Sequence, residues 1–371
     1  MKILFTCGGT AGHINPAVAL ARLFRQRRPD TEILFVGAEV GMEVTLVPKE
    51  GFPLKTVTIT TFHRAFRWKD VVHNLATLRN LSVSRRQAAE ILTEFAPDLV
   101  VGTGGYASYP VVREAARRGI PTAIHESNAV PGLTTKALSK YVDKVMVGFE
   151  TSRPYYHHPE RVAVTGTPVR GDFFQYTRRE AREKLGLTDG RPLLVSFWGS
   201  LGAGVMNGHM VDFIARACAD GAPFHQIHGA GYGYKTLTEA LALRGVSLPP
   251  EVEVREYIYD MPLVMSAADL VLCRAGASTI SELTAIAKPA ILVPSPNVTN
   301  DHQTKNARLL EAAGGALLLP EPRCGDLALY RLASDLLRDA PRRREMASAL
   351  SAMGVPDATE QIYNTLLSLA R

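Results

Sequence analysis

His13 stands at the end of a glycine-rich turn, Gly8-Gly9-Thr10-Ala11-Gly12, between an apolar run at 3–6 and a helix-like segment at 17–27. A turn of this kind at a helix start offers unpaired N–H groups and partial positive charge. Glycine lets the backbone come close, so the chemistry is phosphate binding. An imidazole beside such a cradle adds a group that can take a proton, which a plain dinucleotide site does not need. GGTAGH is not a clean GxGxxG. The second apolar run, 32–36, passes into Gly37-Ala38 with no convincing acid to close it, which argues against nicotinamide chemistry.

Further clusters fall at the ends of other apolar runs. A third turn, Gly102-Thr103-Gly104-Gly105-Tyr106, follows 98–101, and His125-Glu126-Ser127-Asn128 ends the run at 122–125. In the second half, Gly199-Ser200-Leu201-Gly202-Ala203-Gly204 follows 192–197 and repeats the first arrangement. Two such turns suggest two phosphorylated partners. The stretch Arg274-Ala275-Gly276-Ala277-Ser278-Thr279 sets small residues at a helix start, suited to a diphosphate. Glu282 follows one turn on, where a carboxylate can hold paired hydroxyls such as those of ribose. Asn300-Asp301-His302-Gln303 offers amide and imidazole groups for sugar hydroxyls. Arg170 can neutralise a leaving diphosphate. No two aspartates stand at i, i+2, so no DxD pair offers a metal bridge, and no G-x-S-x-G elbow is present.

The elements that position these groups form a repeated βαβ pattern. Strands are expected at 3–6, 32–36, 55–59, 98–101, 122–125, 144–147 and 162–164. The pattern restarts at 192–197, 224–228, 252–257, 270–273 and 290–293, with helical segments such as 17–27 and 111–118 between strands. An α/β fold of two doubly wound parallel sheets follows, hinged near Gly166-Thr167-Pro168, with the ligand site expected in a cleft at the carboxyl ends of the strands. A chain of 371 residues suits two domains. Its net charge of +6 is too mild for a dedicated nucleic-acid binder. Cys7, Cys218, Cys273 and Cys324 lack metal-ligand spacing and read as reduced thiols.

No apolar run reaches membrane-spanning length, and the run before the first turn is too short for a signal peptide, so a cytosolic protein is expected. Residues 60–86 carry Phe62, Phe66 and Trp68 among His63, Arg64, Arg67, Lys69, Arg79, Arg85 and Arg86, with Asp70 the one acid. From Trp68 the apolar residues recur at steps of three and four. That fits a core-packed helix with a solvated basic face, and equally a patch resting on anionic lipid.

Taken in order, GGTAGHINPA, HESN, GTPVR, GSLGA, CRAGASTISE and PSPNVTNDHQTKNA resemble the bacterial UDP-N-acetylglucosamine:N-acetylmuramyl-(pentapeptide) pyrophosphoryl-undecaprenol N-acetylglucosamine transferases over essentially the whole chain. The resemblance implies a GT-B fold of two Rossmann-like domains facing a cleft. Residues 1–166 would bind the acceptor, with a terminal helix at 356–371 packing back on them, and 167–355 would bind UDP-GlcNAc. It implies an inverting, metal-independent transfer of GlcNAc from UDP-GlcNAc to the C4 hydroxyl of the MurNAc of lipid I, giving lipid II for peptidoglycan. No cofactor is implied, since UDP-GlcNAc is a substrate.

Donor contacts implied by the resemblance are Thr10, Gly12, Asn128, Arg170, Ser200, Ile258, Ala277, Ser278, Glu282 and Gln303. Ile258 would read uracil through its backbone, Glu282 would hold ribose and Gln303 would hold GlcNAc. Acceptor contacts are Gly8, Gly9, Thr10, Gly104, Gly105, Tyr106 and Asn128. His13 would be the general base, with Glu126 as the competing assignment and a backbone-capping role as the bland alternative. The enzyme would sit peripherally on the cytoplasmic face of the cell membrane, docked through Phe62, Phe66, Trp68 and nearby cations. Cell-wall synthesis proteins are admitted as partners, and nucleic acid is not. Ala11, Trp198, Leu201 and His302 depart from the commoner residues of the family, and none removes a group the chemistry needs.

Overall fold

A computed structural model describes residues 1–59, 68–199 and 202–370; of residues 68–81 and Thr299 it describes the backbone alone. The chain divides into two units, one of Met1–Val169 with Val355–Arg371 and the other of Arg170–Gly354.

In the first unit β1 (Lys2–Thr6), β2 (Glu32–Ala38), β3 (Leu54–Val57), β4 (Leu99–Gly102), β5 (Thr122–Glu126), β6 (Lys144–Val147) and β7 (Val162–Val164) form one sheet, ordered β3-β2-β1-β4-β5-β6-β7. In the second, β8 (Leu193–Phe197), β9 (His225–Gly229), β10 (Val252–Arg255), β11 (Leu270–Cys273), β12 (Ala290–Leu292) and β13 (Ala316–Leu318) are ordered β10-β9-β8-β11-β12-β13. Neighbouring strands pair in parallel in both sheets. Helices cover both faces of such sheets, which is why the central strands read as unbroken apolar runs. Strand order reverses between β1 and β4 and again between β8 and β11. These are the switch points at which doubly wound sheets open a crevice. Thr6 pairs with Gly102 there, and Phe197 with Cys273, so the turns leaving each pair of strands emerge side by side.

Local differences from the sequence reading have simple causes. The first helix runs Ala11–Arg27, so the end of the glycine turn is its first turn, and Pro16 lies inside it. The expected strand at 55–59 is Leu54–Val57, and β13, which directly follows Gly314-Gly315 and is only three residues long, is too short to announce itself. In the first core Phe5 stacks on Phe35 at 5.4 Å between ring centroids. The last helix, Ala358–Leu369, belongs to this core: Tyr363 lies 4.5 Å from the Phe24 ring, and Arg27 Nη1 donates to Glu360 at 2.7 Å. Burial of Ile362, Tyr363 and Leu366 contributes roughly 1.5–3 kcal/mol for each large side chain.

Phe62 and Phe66 lie outside the described residues, as does the side chain of Trp68, which opens the helix Trp68–Phe95. Among the described residues no helix is long and apolar enough to cross a membrane.

Candidate active site

In the first unit the chain leaves β1, turns through Gly9 at φ +85°, and enters the helix Ala11–Arg27. A side chain would strain that turn, so glycine is required there. His13, on the first turn of the helix, folds back so that Nδ1 lies 2.9 Å from the Gly8 carbonyl oxygen. A carbonyl only accepts, so Nδ1 carries the hydrogen. In the neutral ring Nε2 then holds a lone pair. Thr10 Oγ1 stands 3.4 Å from the same Nδ1, and the His13 carbonyl accepts from Thr103 Oγ1 at 2.7 Å. The ring rests on Gly104, where a Cβ would come within 2.6 Å of Cδ2, and a Cβ on Gly105 would collide with the Gly8 carbonyl. The third turn is thus the seat of the first turn and of the imidazole. Tyr106, 43 % exposed, follows it. The Gly9 N–H turns inward to Glu43 Oε2 at 3.0 Å.

Glu126, at the end of β5, is 4 % exposed. Its Oε1 accepts from the Asn128 N–H at 3.0 Å and from Asn128 Nδ2 at 2.8 Å; its Oε2 accepts from the Gly132 N–H at 2.9 Å. Three donors engage both oxygens, and the carboxylate shapes the loop 126–132. The neighbouring His125 is buried, donates from Nε2 to the Gly166 carbonyl at 2.9 Å, and has its pKa lowered by burial.

In the second unit the helix Ala277–Ala285 follows β11. Its N-cap is Gly276, so no side chain caps its first N–H groups. The Ser278 hydroxyl oxygen there is buried and has no hydrogen-bond partner among the described residues. Uncapped N–H groups beside a hydroxyl without a partner have the chemistry to receive an anion, as helix starts do. One turn on, Glu282 is half-buried; burial pushes its carboxyl up to about 7, against the pull of Arg170 and with the push of Asp172. Arg170 Nε stands 3.5 Å from Asp172 Oδ1, with the guanidinium 5.6 Å from the Phe173 ring centroid. Gln303 Oε1 accepts from the Ser295 N–H at 2.9 Å, which leaves its NH₂ group to donate. The chain reaches Gln303 through Asn300 and Asp301, both left-handed, at φ 58° and 50°. Ile258 buries its side chain under Gly229, so only its main chain is left for recognition. Arg274, by contrast, donates to the Val293 and Pro294 carbonyls and pairs with Glu321; it braces the loop.

The descriptions "Glycosyltransferase family 28 N-terminal domain" and "Glycosyltransferase family 28 C-terminal domain" fit residues 3–147 and 193–362. Over its full length the chain is 40% identical to the UDP-N-acetylglucosamine--N-acetylmuramyl-(pentapeptide) pyrophosphoryl-undecaprenol N-acetylglucosamine transferase of Acetivibrio thermocellus, covering 99% of that protein. It is 37% identical to a Bacillus cereus transferase of the same description, numbered 1, covering all of both chains. The chain belongs to glycosyltransferase family 28. The crystal structure of Acinetobacter baumannii MurG superposes with a TM-score of 0.78 at 26% identity, over 99% of each chain. The resemblance read from the motifs therefore stands, as does a GT-B architecture of two Rossmann-like units.

Within this glycosyltransferase, Gly8, Gly9, Thr10, His13, Gly104 and Gly105 come together at the first switch point, and Gly12 lies on the same helix start. Glu126 and Asn128 form a second group tied to each other. Arg170 and Glu282 interact electrostatically in the second unit, with Ala277 and Ser278 at the start of the helix that carries Glu282. Ser200 lies outside the described residues, as does Leu201. Trp198 is buried. Glu43 is not announced by any sequence motif, and the second strand passes into Gly37-Ala38 without an acid. Two acids follow: Glu39 accepts from Thr58 Oγ1 at 2.5 Å, and Glu43 reaches back to the glycine turn.

Proposed function

We propose that the protein transfers GlcNAc from UDP-GlcNAc to the C4 hydroxyl of the MurNAc of lipid I, giving lipid II, with inversion at C1 and without a metal ion. The observation that carries the reaction is 40% identity along the entire chain to a transferase of that description. The first unit takes the acceptor and the second the donor. His13 Nε2, bare in the tautomer that Gly8 imposes, takes the C4 hydroxyl proton as that oxygen attacks C1 and the bond from C1 to the diphosphate oxygen breaks. Glu126, the competing assignment, has three donors on its carboxylate that tie it to the loop 126–132, whereas His13 Nε2 keeps its lone pair, which favours His13.

UDP leaves with its charge held by the N–H groups at Ala277 and Ser278, the Ser278 hydroxyl and Arg170. Glu282 holds ribose hydroxyls, the Gln303 NH₂ holds GlcNAc hydroxyls, and the Ile258 main chain reads uracil. The acceptor diphosphate uses the helix start at Ala11 and Gly12 beside Tyr106; Gly9 supplies shape, since its N–H is taken. The enzyme works peripherally at the cytoplasmic membrane face.

The test is GlcNAc transfer from labelled UDP-GlcNAc to a lipid I analogue in EDTA, with the product anomer read by NMR. Wild type should transfer with inversion, and His13→Ala should lose about 10²-fold or more in rate. Donor binding without any transfer would refute the reading.

A further inference from the structure

One fully buried acid has no part in the chemistry so far. Glu43 opens the helix Glu43–Lys49, five residues past β2, and its side chain is 0 % exposed. Its two oxygens accept two main-chain N–H groups: Oε2 from Gly9 at 3.0 Å and Oε1 from Ala38 at 2.9 Å. Three glycines make the space. A Cβ on Gly8 would lie 2.7 Å from Oε1, one on Gly37 would lie 2.5 Å from Cγ, and one on Gly41 would overlap the carboxylate. The Cys7 thiol pKa is pushed up by burial and by the Glu43 charge. An anion held on the N–H of a glycine turn is where a Rossmann unit places a nucleotide phosphate. Here the chain supplies the anion itself.

The Gly9 N–H and the Gly8 carbonyl belong to one peptide group. Glu43 engages its hydrogen end, and His13 Nδ1–H engages its oxygen end at 2.9 Å. A carboxylate on the N–H polarises the amide and strengthens its oxygen as an acceptor. We propose that Glu43 is a positioning residue in a carboxylate–peptide–imidazole relay, holding His13 in its Nδ1–H tautomer so that Nε2 faces the acceptor hydroxyl with a lone pair. It acts as the triad aspartate does on its histidine, at one peptide's remove. A carboxylate is required because both partners are donors; glutamine would turn its NH₂ group against one of them. The inference rests on the reading of His13 as the base.

The test uses the full chain with ¹⁵N-labelled histidine. The His13 tautomer is read by NMR in wild type and Glu43→Gln, alongside kcat and the KM for UDP-GlcNAc. Wild type should show hydrogen on Nδ1 and none on Nε2. The variant should gain Nε2–H and lose roughly tenfold or more in kcat, with the donor KM held within about twofold, a split that general loss of structure would not give. An unshifted tautomer in Glu43→Gln overturns the relay. So does a wild-type ring protonated on Nε2, a measurement that decides even if the variant fails to fold. The two readings fail separately. Wild-type rates in His13→Ala would remove the base and leave the tautomer result standing, whereas an unshifted tautomer would remove the relay and leave the base.

Discussion

The two units are built on the same strand order and differ in what sits at the switch point. In the first, the turn after β1 and the turn after β4 close on each other through Gly8, Gly104 and Gly105, and the Gly9 N–H is taken by Glu43 from within the chain. In the second, the helix start after β11 keeps its N–H groups uncapped, a buried Ser278 hydroxyl without a partner among the described residues, and a half-buried Glu282 whose carboxyl is pushed up to about 7. One fold thus supports two uses. On the proposed function, the first cradle, with its Gly9 N–H taken, is a mount for the base and keeps its helix start for the acceptor diphosphate, while the open second one receives the diphosphate of UDP. The Ser278 hydroxyl is one of several buried polar atoms without a partner among the described residues, and its place at an uncapped helix start is what suits it to a ligand.

The largest expected effect falls on the filled side. Gly104→Ala would drive a Cβ to 2.6 Å from His13 Cδ2 at a φ of +107°. A base displaced by about an ångström costs about 10²-fold in kcat, and the strained φ about 1–3 kcal/mol of stability. Steady-state kinetics with a thermal melt checks both, and kcat at the wild-type level would mean the ring does not depend on that seat.

Next comes Glu282 on the open side. Its carboxyl titrates near 7 against 4.5 for an ordinary glutamate, so the folded chain binds a proton between these values that the unfolded chain releases. Stability from this group is full below about 4.5 and is lost as pH rises through about 7, on the order of 2 kcal/mol after discounting for partial exposure. UDP-GlcNAc binding runs the other way, because only the ionised carboxylate accepts both ribose hydroxyls, and affinity should rise through about pH 7. Glu282→Gln should melt higher than wild type at pH 8 while its donor KM rises by about tenfold or more. Melts and KM measured from pH 5.5 to about pH 8.5 test this, and parallel changes in the two would break the comparison.

The smallest effect is Ser278→Ala. Its hydroxyl gives up no internal partner, so stability should hold within about 0.5 kcal/mol while donor affinity falls about fivefold, one hydrogen bond's worth. Calorimetric titration with UDP and a denaturant melt check the pair of values.

The fold was largely legible in the sequence because parallel strands buried on both faces leave apolar runs, and glycine marks the turns between them. Gly12 and Pro16 disguised the true start of the first helix. In the second unit, Ala277, Ser278 and Glu282 were legible as a helix-start pattern. In the first, His13 was legible as chemistry, but its tautomer was not, because that depends on which atom Nδ1 meets. Glu43 stayed hidden for a tertiary reason. Its partners Gly9 and Ala38 come from different loops, and nothing in the spacing of Gly8, Gly37 and Gly41 shows that they surround one carboxylate.

The contrast between filled and open cradles is tested most directly by titrating ¹⁵N-labelled protein with UDP and following the Gly9 and Ser278 amides. The account predicts a saturable shift at Ser278 and none at Gly9. A shift at Gly9 with Ser278 unmoved would contradict it.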